Sequence, residues 1–316
     1  MTDTPSPEEF GAAAEAPIRD ADGRAPREAA RVLAQAGLTG VVAAEADGGL
    51  GLDLRFAVPI AEAAGRLQLR APLVESMLIA RAFAGTPVAA ALASGESLAT
   101  IAWRGGLGDG LAGPARHAAG CDRMLVADGE GAALVALDDG SLELDDALDP
   151  EAPQAWLRGA GARVVARLPA AAHARLRDEA CVLLAATVVG AAQGAIARTA
   201  EHVATRVQFG RPLSSKQAVR HTMARMQLLA EVSAAAVRRT LETDEFGAPR
   251  DPRPTLAGAI EHAAFVLERA IHLHGGMGFT WEVPLHRSLR EIRAIDAAFG
   301  TTTLPADIGR RFIEAA

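Results

Sequence analysis

Residues 173–217 read HARLRDEACVLLAATVVGAAQGAIARTAEHVATRVQFGRPLSSKQ. From His173 to Arg206 the pattern runs without a proline and is rich in alanine, which loses no side-chain entropy in a helix, so one long helix is predicted there. Gly210 and Pro212 stop it. Ser214 and Ser215 are suited to start a second helix, running from Ser215 to about Glu242. The stretch DEFGAPRDPRP (244–254) reads as a loop. A third helix is predicted from Pro254 to about Leu273, stopped by Gly275 and Gly276, and a last one from about Glu282 to Ala298. Four long helices joined by short links predict an antiparallel bundle over residues 171–316.

Working outward, residues 1–95 read as helices broken by glycine turns, an N-terminal helical domain. Glu28–Ala36 has helical spacing, and Leu54–Arg66 is helix-like with Pro59 expected to start or kink it. Residues 96–170 change to period two. MLVAD (124–128) and AALVALDD (132–139) are strand-like and are separated by the turn DGEG, and Arg163–Leu168 is a further strand. The acidic stretch 138–153 reads as loops and edges, and WRGGLGDG (Trp103–Gly110) as a loop without the context of a dinucleotide-binding turn. The fold class expected is therefore mainly α with a small, reduced middle β domain of few strands, and not the alternating order of a Rossmann domain.

Composition sets outer limits. With 316 residues, half of them hydrophobic, the chain has ample material for a core. A diffuse formal charge of −7 argues against nucleic acid as a partner. The polar, acidic start MTDTPSPEEF is not that of a signal peptide, and the apolar run Ala180–Ala192 is too short for a bilayer, so a cytoplasmic location without membrane contact is expected. Cys121 and Cys181 match no metal-ligand spacing and read as reduced structural thiols. No zinc-protease, nucleophile-elbow or phosphate-loop motif is present in the sequence.

Two segments stand out chemically. Arg206-Val207-Gln208-Phe209-Gly210-Arg211-Pro212-Leu213, followed by Gln217, combines a charge-assisted donor, an apolar ring and an amide at one turn. That set suits a ligand carrying phosphates and a ring, although a helix end needs no ligand to explain it. His272-Leu273-His274-Gly275-Gly276-Met277-Gly278-Phe279-Thr280-Trp281-Glu282 places glycines between helices, where backbone can approach a ligand closely. A third segment, Glu45-Ala46-Asp47-Gly48-Gly49-Leu50-Gly51-Leu52, is a glycine loop from which no phosphate role follows.

Taken in order, GLTGVVAAEADGGLGLDLRFAVPIAEAAGR, RVQFGRPLSSKQAVRH and HLHGGMGFTWEVPLHRSLREIR resemble the acyl-CoA dehydrogenase family along almost the whole chain. The resemblance implies an N-terminal helical domain, a middle β domain and a C-terminal four-helix domain, with FAD between the last two and its adenine end reaching a neighbouring subunit. It implies α,β-dehydrogenation of an acyl-CoA thioester, with electrons passing to an electron-transfer flavoprotein. It places Arg206, Phe209 and Gln217 on the adenine and pyrophosphate side of FAD, and Gly275, Gly276 and Gly278 at the loop meeting the neighbour's FAD. His272 stands where the family commonly has Gln.

Two departures shape the expectation. The family's flavin-covering loop and strand have no match in the middle region. The base is also missing: where the family often has Tyr-Glu-Gly-Thr, this chain has Ala298-Phe299-Gly300-Thr301. In members that carry the base on the first long C-terminal helix, the matching residue is Ala180, and Glu179, about 100° away around a helix, is the candidate stand-in. The resemblance thus points to the shortened, non-catalytic subunit of a heteromer, of the kind acting on steroid CoA thioesters, completed by a second acyl-CoA dehydrogenase-like subunit. Two alternatives stand beside it: a self-sufficient homo-oligomeric enzyme with a displaced base, and a flavin-free scaffold or acyl-CoA-binding relic.

Overall fold

The computed structural model describes residues 5–138, 140–146, 149–150, 152–159 and 161–314, apart from the side chains of Arg311 and Phe312. The chain clusters into two compact units, one of Met1–Ile60 with Leu69–Leu183, the other of Ala61–Gln68 with Leu184–Ala316.

The first unit begins with helices α1 (Pro7–Ala21), α2 (Pro26–Gln35), the start of α3 (Leu54–Arg66), α4 (Leu73–Ala82) and α5 (Pro87–Ala93). Ser6 and Glu9 close a capping box on α1, satisfying two donors that a helix start leaves open. Helix α3 begins at Leu54, so Pro59 lies inside it. Pro59 is also where α1 comes closest: a Cβ on Gly11 would stand 2.7 Å from the Pro59 Cβ.

Seven strands follow: β1 (Ala99–Gly106), β2 (Leu111–Ala115), β3 (Arg123–Asp128), β4 (Gly131–Ala136), β5 (Leu142–Asp145), β6 (Gln154–Arg158) and β7 (Arg163–Leu168). They form one sheet in the order β5-β6-β2-β1-β3-β4-β7, antiparallel except for the β1–β3 pair. The β3–β4 hairpin turns at Gly129 and Glu130 as its DGEG sequence predicts, with Gly129 at φ +59°. One face buries small and branched residues such as Ala102, Ala115, Met124, Val126, Val135 and Leu157.

The sheet corrects the expectation of only a few strands. Trp103–Gly106, read as a loop, is the second half of β1. Its glycines serve close strand approach: a Cβ would stand 2.3 Å from the Leu111 carbonyl oxygen at Gly105, and 2.7 Å from that of Ala127 at Gly106. With its first five residues all buried and two glycines at its end, β1 shows no period-two signal. Leu142–Asp145 is an edge strand, and with none of its residues buried it has no alternation to read.

The long helix α6 (Ala170–Thr205) has 36 residues. By length and composition it could cross a membrane, contrary to the shorter apolar run read from the sequence, yet 83% of its most apolar window is buried within the fold. In the second unit its later turns meet the end of α3 at a crossing built from glycine. A Cβ on Gly65 would stand 1.9 Å from the Thr187 carbonyl oxygen, and one on Gly190 1.9 Å from that of Glu62. Helix α7 (Gln217–Thr240) runs antiparallel to α8 (Arg253–His274), joined by Ser233–His262 at 2.9 Å and Thr240–Thr255 at 2.6 Å. Met226, Ala230, Ala234 and Val237 form the buried stripe of α7 at helical spacing. Helices α9 (Leu285–Phe299) and α10 (Leu304–Glu314) complete the unit.

Candidate functional site

The turn after α6 is a small hairpin. β8 (Val207–Gln208) pairs with β9 (Arg211–Pro212), and the Leu213 N–H donates to the Arg206 carbonyl at 2.9 Å, closing its base. The two turn residues, Phe209 and Gly210, both lie in the left-handed region, at φ +56° and +76°. That geometry matches the twist of a two-residue hairpin, but a bulky aromatic residue adopts it at a cost. Phe209 is also 90% exposed, with the Lys216 ammonium 5.1 Å from its ring centroid. Arg206 is exposed beside it, as is Gln217, the first residue of α7. Ser214 and Ser215 do not cap α7: its N-cap is Lys216, and the Ser215 hydroxyl donates to the Pro212 carbonyl at 2.7 Å.

The second segment follows α8. Gly275 takes φ +61° and ψ −140° and leads into a short 3₁₀ turn, Gly275–Phe279. The three glycines divide their work. Space is open where a Cβ would stand on Gly275 and Gly276, so this surface is bare backbone. Gly278 is buried, and a Cβ there would stand 2.4 Å from the Ile271 carbonyl oxygen, so its smallness serves packing. Phe279 is 80% exposed, and Met277 and Trp281 are about half exposed. Trp281 meets His286 edge-on at 4.8 Å, with the Arg290 guanidinium 5.2 Å from its ring.

The two segments are tied together by a pair that sequence reading passed over. His202, near the end of α6, stacks on His274, the last residue of α8, with ring centroids 4.3 Å apart and planes 21° apart. Burial, then His274, then Arg206 hold the His202 imidazole below its ordinary range. The residues are 72 positions apart in the chain, and no spacing rule links them. His272 is exposed and lies outside the stack.

Glu179 lies in the first unit. Its carboxylate accepts from the Arg81 Nε at 3.0 Å and its side chain is 17% exposed. The pair lines a cleft of about 590 Å³ with Glu45, Gly51, Arg175 and Leu176. One wall is the Glu45–Gly51 loop, held where Asp47 accepts from the Gly85 N–H at 2.8 Å. The neighbouring Ala180 is fully buried. Phe299 is the last residue of α9, followed by Gly300 at φ +63°, and a phenyl ring can neither take nor give a proton.

Chemically, the second unit offers a guanidinium, an apolar ring face, an amide and an uncovered glycine backbone. That donor set suits a nucleotide ligand carrying a diphosphate.

Residues 171–313 match the family model of the acyl-CoA dehydrogenase C-terminal domain. The acyl-CoA dehydrogenase IpdE2 of Mycobacterium tuberculosis is 30% identical over 254 residues, covering 80% of this chain and 76% of that protein. The acyl-CoA dehydrogenase FadE34 of the same organism is 29% identical over 92% of this chain, which spans 44% of FadE34. Among solved structures, a variant of the Tcur3481–Tcur3483 steroid ACAD superposes with a TM-score of 0.81 at 25% identity, covering 98% of both chains. The ChsE4–ChsE5 complex of Mycobacterium tuberculosis has the same fold, with a TM-score of 0.78 at 22% identity over 99% of this chain and 98% of that one.

Proposed function

The chain belongs to the acyl-CoA dehydrogenase family, and from that premise we propose that it is the non-catalytic subunit of a heteromeric, FAD-dependent acyl-CoA dehydrogenase. Its task in this reading is to complete the FAD site of a companion subunit of the same family. The observation that carries the proposal is the outward presentation of Phe209, at the tip of a left-handed hairpin and 90% exposed. A strained aromatic residue held in solvent is economical only if a second surface covers it. Phe279, Met277 and Trp281 extend the same pattern to the glycine segment. Two similar structures, the Tcur3481–Tcur3483 steroid ACAD and the ChsE4–ChsE5 complex, support a paired assembly, and the first supports a bulky, steroid-like acyl group.

When bound, the flavin supplies the hydride-accepting chemistry of the reaction. The residues of this chain hold and orient. Arg206 would neutralise the diphosphate with charge-assisted bonds, Phe209 would cover the adenine, and Gln217 would offer an amide to a base edge. The Gly275–Gly276 backbone would lie against the diphosphate. Proton abstraction from the acyl thioester falls to the companion: Phe299 has no basic group, and the Glu179 carboxylate is engaged by Arg81. An electron-transfer flavoprotein is the expected acceptor.

The assignment is tested with Glu179→Gln in the co-purified heteromer, assayed with an acyl-CoA and an artificial electron acceptor. Turnover is expected within about twofold of wild type, because a base has been worth about 10²–10⁴ in rate elsewhere and none is lost here. A drop of that larger size would assign the base to this chain and favour a self-sufficient enzyme.

A further inference from the structure

The His202–His274 stack joins the two segments assigned to the flavin, and its details show how. His274 is buried, and its Nδ1–H donates to the Ala270 carbonyl at 2.8 Å. This fixes the tautomer and the ring plane, leaving Nε2 without a proton in the neutral form. The next residue is Gly275, where the chain turns into the left-handed region at φ +61°. On the other side, the His202 carbonyl accepts from the Arg206 N–H at 2.9 Å, so the ring of His202 and the start of the Arg206 hairpin belong to one helical turn. A stacked contact at 4.3 Å therefore lies between the last turn of α6 and the last turn of α8. Stacked aromatic contacts have a preferred ring geometry, set by shape and ring electrostatics.

We propose that His202 is a positioning residue: by stacking on His274 it holds the Gly275–Gly276 turn in register with Arg206, so that both meet one diphosphate. The inference rests on the reading of these segments as the nucleotide-binding part of the flavin site. It assigns His202 no contact with the ligand. A flat ring at position 202 should serve, whether or not it can titrate.

The test uses ADP, the diphosphate-and-adenine half of the dinucleotide, titrated by calorimetry into the flavin-stripped heteromer carrying this chain as wild type, His202→Ala, His202→Phe or Arg206→Ala. Loss of the stack should weaken ADP binding about tenfold, the upper range for an aromatic pair. His202→Phe should restore it to near wild type. Amide exchange at Gly275–Gly278 should quicken in His202→Ala and recover in His202→Phe, with thermal unfolding serving as a check on the fold. If His202→Ala binds ADP as wild type does while Arg206→Ala does not, the positioning role is overturned and the flavin reading stands. If His202→Phe is as weak as His202→Ala, an imidazole contact rather than stacking is at work, and the proposal is again overturned. If the wild-type heteromer fails to bind ADP, or the Arg206→Ala heteromer binds it unchanged, the underlying reading falls and takes this inference with it.

Discussion

Phe209 concentrates the tension between stability and function at a single residue. Its left-handed backbone favours glycine, and its ring gains almost no burial in the chain by itself. Phe209→Gly should therefore raise stability by about 1 kcal/mol, read by urea unfolding, while lowering flavin retention by the heteromer. A variant that loses stability as well would mean that the ring packs within this chain. His117 shows a different kind of strain. It sits at φ +52°, and burial, then the positive charges of Arg116 and Arg70, push its imidazole down to about 3. An unfolded chain would take up a proton on this ring as pH falls through 6.5, whereas the folded chain would wait until about 3. Stability from this group is thus complete above pH 6.5 and drains away as pH drops toward 3. His117→Asn, which tolerates the left-handed backbone, should flatten that part of a stability-against-pH curve. An unchanged slope would remove His117 from the account.

Among the elements, the α3–α6 crossing is the tightest point. Gly65 and Gly190 each face a carbonyl oxygen 1.9 Å from where a Cβ would be, so the helices touch backbone to backbone. Gly65→Ala or Gly190→Ala should cost about 3 kcal/mol, seen as a lowered denaturation midpoint, because neither backbone can yield locally. A midpoint unchanged by both would mean that the helices separate without penalty. This crossing also bears on what could be read in advance. The helices α6 and α8 were legible from composition and from the glycines after His274, and α7 from its length, because each is long and ends at residues with one conformational meaning. The crossing was not, since a glycine inside a helix looks the same whether it is tolerated or required. Strands β1, β2, β5 and β6 escaped; in β1 glycine, and in the edge strand β5 solvent exposure, erase the alternation on which strand reading depends. In the candidate site, Arg206 and Phe209 stood out because a charge-assisted donor, an apolar ring and the amide of Gln217 fall at one turn. His202 did not, because its role depends on a partner 72 positions away.

At the scale of the molecule, most of the large exposed hydrophobic side chains among the described residues fall in the second unit, among them Phe209, Leu228, Val232, Phe246, Met277, Phe279 and Trp281. Leu228 and Val232 are one turn apart on the outer face of α7. Apolar surface gathered on one unit is the expected mark of a subunit that works in company. The missing base at Phe299 and the engaged carboxylate at Glu179 fit the same division of labour, in which this chain orients the cofactor and the companion performs the proton transfer. That claim is tested most directly by the visible absorption spectrum of the purified chain, alone and co-purified with an acyl-CoA dehydrogenase-like companion. A colourless lone chain and a yellow complex holding stoichiometric flavin are predicted. A lone chain that is already yellow, with one flavin per chain, would contradict the shared site.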